Sequence, residues 1–87
     1  MKYLEEISPG SLFSCFNDKF ILTSDYRIKK DLKQYSCISV TNGSSRWIEE
    51  NTVVNLLQMY YQDDEKNLVL VKEYEHNEDF DKNKNIL

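Results

Sequence analysis

Eighty-seven residues with 40% hydrophobic content and a formal charge of −4 are enough for one small domain with a limited core. That acidity disfavours non-specific binding to nucleic acid or to an anionic membrane over the whole surface, while leaving a local basic site open. The charge is uneven: residues 1–61 carry seven acids and seven bases, whereas residues 62–87 carry eight acids and four bases and hold the whole excess.

Six Tyr, four Phe and one Trp supply large contact areas to so small a core. Two Gly and one Pro leave few positions for unusual backbone geometry. Scarcity of both, with abundant Asn, Lys, Ile and Tyr, suggests an AT-rich coding sequence and points toward a phage or a low-GC bacterium. The residues at the N-terminus lack the apolar stretch of a signal peptide, and no window approaches a membrane span. Cys15 and Cys37 lie in apolar segments with no close-spaced partner, so they read as reduced, buried thiols of a cytoplasmic protein.

In chain order, residues 1–9 are a lead-in. Pro9-Gly10 suits the centre of a type II turn. Residues 11–16 read as a first strand, Asn17-Asp18-Lys19 as a turn and residues 20–23 as a second strand. Residues 24–34 are polar and carry most of the bases; they read as a long loop or one helical turn. Residues 35–40 and 45–48 flank Asn42-Gly43, the pair that a type I′ hairpin turn prefers because both central residues need positive φ. Cys37, Ile38, Val40 and Trp47 are the expected core of this hairpin. Residues 53–61 fit either an apolar helical face or a strand, and the β-branched start favours strand. Residues 62–67 are a polar turn, and the Leu-Val-Leu-Val run at 68–71, continuing to Tyr74, is the clearest strand. The expectation is a single domain over residues 1–74 followed by a disordered acidic tail at 75–87.

Five or six short strands must curl to protect their edges, which predicts a mainly β fold: a small antiparallel barrel, with room for one short helix. The run Pro9-Gly10-Ser11-Leu12-Phe13, then Asn42-Gly43, then Trp47-Ile48-x-x-Asn51-Thr52-x-Val54 resembles small SH3-like β-barrel proteins of uncharacterised function from phages and bacteria. The resemblance covers roughly residues 7–57. It implies a five- to six-stranded barrel that binds peptides, proteins or nucleic acids and is not an enzyme.

The residues that could carry chemistry agree with a binding role. His76, the single histidine, lies in the tail, and no Cys-x-x-Cys or His-x-x-x-His pair occurs, so no metal and no cofactor is expected. Asp63-Asp64-Glu65 lacks the alternation and the glycine of a calcium loop and reads as a solvated turn. No nucleophile has a neighbouring base, and Glu49-Glu50 reads as a solvated corner, so no catalytic residue is assigned. The candidate partner-binding residues are the basic set Arg27, Lys29, Lys30 and Lys33, together with Trp47, Tyr60 and Tyr61. The acidic residues beyond Gln62 could mimic nucleic-acid phosphates, although a solubilising tail is the simpler reading. The expected function is a protein–protein interaction module, such as a phage-encoded modulator or inhibitor of a host or defence enzyme. A nucleic-acid-binding barrel using the basic segment and a structural or assembly component are the alternatives. Partners are expected to be proteins, with nucleic acid as the rival, no membrane, and homo-oligomers open to form through strand edges.

Overall fold

Alternation of apolar and polar side chains along short β-prone runs decides most of the architecture. The computed structural model describes residues 1–71, so the tail expected at 75–87 lies outside the described residues. The elements are β1 (Lys2–Tyr3), a single 3₁₀ turn (Leu4–Glu6), β2 (Leu12–Cys15), β3 (Asp18–Lys29), β4 (Leu32–Ser39), β5 (Ser45–Glu49), β6 (Val53–Leu57), β7 (Tyr60–Gln62) and β8 (Leu68–Leu70). The chain divides into two units, Met1–Leu57 and Gln58–Leu87.

In the first unit six antiparallel strands form one sheet in the order β1-β6-β2-β3-β4-β5. Leu4, Phe13, Phe20, Leu22, Cys37, Ile48 and Val54 form one buried cluster beneath it, with Ile7, Cys15 and Tyr35 packed around the margin. Phe13 and Phe20 are register partners, and their rings stack with centroids 5.7 Å apart. Ile48 and Val54 lie toward opposite ends of the strand order yet share this core, so the sheet is strongly curled. Leu4 N–H donates to Thr52 O at 2.9 Å and Glu5 N–H to Glu50 O at 3.0 Å, tying the lead-in to the β5–β6 corner. The end strands β1 and β5 do not pair with each other, so the curled sheet is not closed into a barrel.

Turn chemistry explains several departures from the sequence expectations. Ser11 N–H donates to Ser8 O at 3.1 Å and Gly10 has φ 91°, which is the expected turn around Pro9-Gly10. Asn42-Gly43, by contrast, is not a two-residue I′ turn. Only Gly43 has positive φ (79°), and its N–H donates to Ser39 O, so a longer loop joins β4 to β5. The two-residue loops with positive φ at both positions are Phe16-Asn17 (53° and 60°) and Lys30-Asp31 (55° and 65°), with no glycine in either. The second of these replaces the expected long loop. Residues 24–29 continue β3, and β4 begins at Leu32, so the basic segment is the arm of a hairpin.

The arm leaves the sheet at an irregularity. Leu22 pairs with Cys37, whereas Tyr26 pairs with Tyr35, so three residues of β3 face one of β4. The Thr23 hydroxyl spans this bulge: it donates to Ser36 O at 2.8 Å and accepts from Asp25 N–H at 3.2 Å. Two extra residues preserve the side-chain parity, so the core-facing row of β3 continues into Tyr26 and Ile28.

Residues 53–61 are extended: β6 and β7 flank Gln58-Met59, and no α-helix occurs among the described residues. The second unit pairs β7 with β8, with Tyr60 opposite Leu70 and Tyr61 opposite Val69. The Asp63 carboxylate accepts the N–H groups of Glu65 (3.0 Å) and Asn67 (2.9 Å), so its role in the β7–β8 turn is that of a turn former.

Candidate functional site

Cross-strand register sorts the side chains of β3, β4 and β5 onto two faces. Tyr26↔Tyr35 and Ile28↔Lys33 share the core-facing side, beyond the point where the core ends. Arg27↔Gln34↔Glu49 and Ser36↔Trp47 share the opposite side. This parity corrects two expected core residues. Ile48 is buried, so its neighbour Trp47 is turned outward and is 41% exposed. Ser39 is buried, so Val40 is likewise turned out. Ile38 is only partly buried, on the outer side, while Cys37 is buried as expected. Leu4 and Val54 complete the core; Leu4 sits in the lead-in, where no periodicity flags it.

Cations and aromatic rings pair on both faces of the arm. The Arg27 guanidinium lies 4.5 Å from the centre of the Trp47 ring, and its Nε donates to Gln34 Oε1 at 2.7 Å. Lys33 Nζ lies 4.4 Å from the Tyr26 ring and 5.6 Å from that of Tyr35, and the two tyrosines meet edge-on at 6.4 Å. At exposed positions such contacts are worth about 0.5–1 kcal/mol each. They hold long cationic side chains in place and use up one face of each ring. Lys29 and Lys30 stand at the tip, where a shallow groove is lined by both lysines with Leu32, Gln34 and Glu49. Tyr26 is 56% exposed and Ile28 66% exposed, an apolar pair of which the sequence marks only Tyr26, at the border of the basic segment. A β-branched residue flanked by alternating cations was the available signal.

Of the seven residues singled out from sequence, five therefore belong to this arm and its neighbour β5. Arg27 touches Trp47, Lys33 touches Tyr26 and Tyr35, and Lys29 and Lys30 form the tip. Tyr60 and Tyr61 are exposed on β7 of the second unit, one on each face of that strand.

The two thiols and the Asp18 carboxyl have their protonation shifted by the fold. Burial, reinforced by nearby Cys15, pushes the Cys37 thiol up to about 12, so at neutral pH it is a protonated core side chain. Cys15 is half-buried and raised chiefly by desolvation. The Asp18 carboxyl is held below its ordinary value by hydrogen bonds from the Thr41 hydroxyl (2.7 Å), the Lys19 N–H (2.8 Å) and the Ser39 hydroxyl (2.9 Å). It staples the β2–β3 turn to the β4–β5 loop. Among the described residues no group of three or more His, Cys, Asp and Glu is placed to hold a metal, and no helix is long and apolar enough to cross a membrane. Compared with protein-family models, curated proteins and solved structures, the chain matches none of them.

Proposed function

We propose that this protein is a non-enzymatic binding module whose β3–β4 arm docks onto a protein partner. The observation that carries this reading is the exposed Tyr26–Ile28 pair on a two-stranded ribbon, bordered by Arg27, Lys29, Lys30 and Lys33. An aromatic and an aliphatic anchor with arginine nearby is the composition of a protein-binding hot spot. The strand order β6-β2-β3-β4-β5, with a tight turn at Glu49–Thr52 joining the last two strands in sequence, supports an SH3-like reading of the first unit. Small barrels of that kind bind other molecules more often than they catalyse.

Nucleic acid is the weaker reading. Base stacking needs open ring faces, and intramolecular cations cover one face each of Trp47, Tyr26 and Tyr35. Asp25 on β3, Asp31 in the β3–β4 turn, Glu49 at the end of β5 and Glu50 just after it also dilute the positive field. Immobilised protein is used to capture partners from lysate, with mass-spectrometric identification and an Arg27→Glu/Lys29→Glu variant alongside. Specific enrichment by the wild type that the variant loses is the expected result. No enrichment, together with salt-sensitive oligonucleotide binding that Lys29→Glu/Lys30→Glu abolishes, would replace this reading with the nucleic-acid one.

A further inference from the structure

We infer that the outer edge of β3 along residues 26–29 takes up an extended peptide strand in which acidic and apolar residues alternate. The inference rests on the binding-module reading and specifies its ligand. It starts from which backbone groups on the arm have no strand beside them among the described residues.

Glu50 N–H donates to Lys33 O, and Ser39 N–H to Ser44 O, so the odd-numbered residues of β4 direct their backbone groups toward β5. The even-numbered residues therefore face β3, and the Thr23 hydroxyl bond to Ser36 O agrees with this. In an antiparallel ladder opposed residues either exchange both bonds or neither. Arg27↔Gln34 and Lys29↔Leu32 are then the bonded pairs, while Tyr26↔Tyr35 and Ile28↔Lys33 are not. The N–H and C=O groups of Tyr26 and Ile28 consequently point away from β4. On that side β2 pairs with β3 over residues 18–21, and Leu22 exchanges backbone hydrogen bonds with Gly10 and Ser11. Among the described residues no strand lies beside Tyr26 or Ile28.

Side chains along this edge set the complement. A peptide added antiparallel puts two residues opposite Tyr26 and Ile28, on the face those side chains share; apolar side chains fit there. Its intervening residues fall opposite Arg27 and Lys29 on the other face, where the positive charge favours carboxylates and repels cations, although the Arg27 guanidinium itself is turned across β4 to Gln34 and Trp47. Read from its N-terminus, the peptide is acidic, apolar, acidic, apolar against Lys29, Ile28, Arg27 and Tyr26. A second copy of this chain fits poorly. Self-pairing centred on Arg27 opposes the two arginines, and pairing centred on Ile28 opposes Arg27 to Lys29. Pairing centred on Tyr26 runs into the bulge, where Asp25 N–H is turned in to Thr23.

The test is an amide-resolved NMR titration of the full chain with a capped seven-residue peptide alternating glutamate and valine. Three control peptides accompany it: a block isomer of the same composition, the alternating peptide N-methylated on its valines, and an alternating lysine–valine peptide. The expected result is saturable shifts at residues 26–29 with slowed exchange of the Tyr26 and Ile28 amides. Affinity should fall by at least about tenfold for every control peptide and for the Arg27→Glu/Lys29→Glu variant, equivalent to about 1.4 kcal/mol. Because the N-methylated control leaves the protein untouched, a folding defect in the variant cannot mimic the result. Equal binding of the block isomer would reduce the site to bare charge attraction and overturn the inference. Displacement of the peptide by an oligonucleotide, or a dimer in sedimentation that occupies the same amides, would assign the edge to another occupant. If no peptide binds but the variant still loses a captured partner, strand addition falls and the binding-module reading stands.

Discussion

Two single residues carry predictions that separate local chemistry from fold. Ser11 is 1% exposed and its hydroxyl oxygen has no hydrogen-bond partner among the described residues, although its backbone N–H and C=O are both used. Removing an orphaned hydroxyl removes its desolvation cost, so Ser11→Ala is expected to stabilise the first unit by about 1 kcal/mol, read from urea unfolding. Asp18 predicts pH dependence. Its folded value is depressed from the ordinary 3.8, so its contribution is complete above that value and is lost as pH falls through 3.8 toward the lower folded value. Asp18→Asn should therefore lose less stability than the wild type between pH 5 and pH 2 (a window set by the roughly 3.9 of an unperturbed aspartate), measured as the urea midpoint. Neither residue was legible as such from sequence. Ser11 was only the first letter of an expected strand and Asp18 part of a turn, because hydrogen bonds to Thr41 and Ser39 come from residues more than twenty positions away.

At the scale of elements, the β3–β4 arm is where sequence reading and structure part most. A polar run of eleven residues with four bases lacked the alternation of a half-buried strand because most of it is not half-buried: Ser24, Tyr26, Arg27, Ile28 and Lys29 are all exposed. The turn that ends it, Lys30-Asp31, contains neither Gly nor Asn, the residues whose low cost at positive φ makes such turns recognisable. Conversely, Asn42-Gly43 marked a real reversal but not its length, since Ser39 and Ser44 close the loop. One hydroxyl bridges the bulge. Thr23→Val keeps the shape and removes both bonds, and should destabilise the first unit by about 1 kcal/mol while shifting the amide resonances of residues 23–29 and 36. Unchanged resonances on the arm would mean that backbone sterics alone set the bend.

For the molecule as a whole, the mainly β class and most strand positions were legible because alternation and turn residues are local signals. The first hairpin, the Pro9-Gly10 turn and the extended character of residues 53–57 all follow from neighbouring side chains. What local signals did not carry was parity and closure. Whether Trp47 or Ile48 faces the core depends on the register of β5 against β4, and Leu4 enters the core only because β1 pairs with β6. The sheet order has a kinetic consequence. β2–β3, β3–β4 and β4–β5 join neighbours through short turns and can form within about 1–10 μs each. The seam of β6 against β2 brings Leu56 back to Phe13 across most of the first unit, and β1 reaches the sheet only through β6. Phe13 lies on that seam and Val54 on β6, so the return of β6 is expected to set the refolding speed. The strands nearest the start and the finish of this unit are expected to be the last to lock.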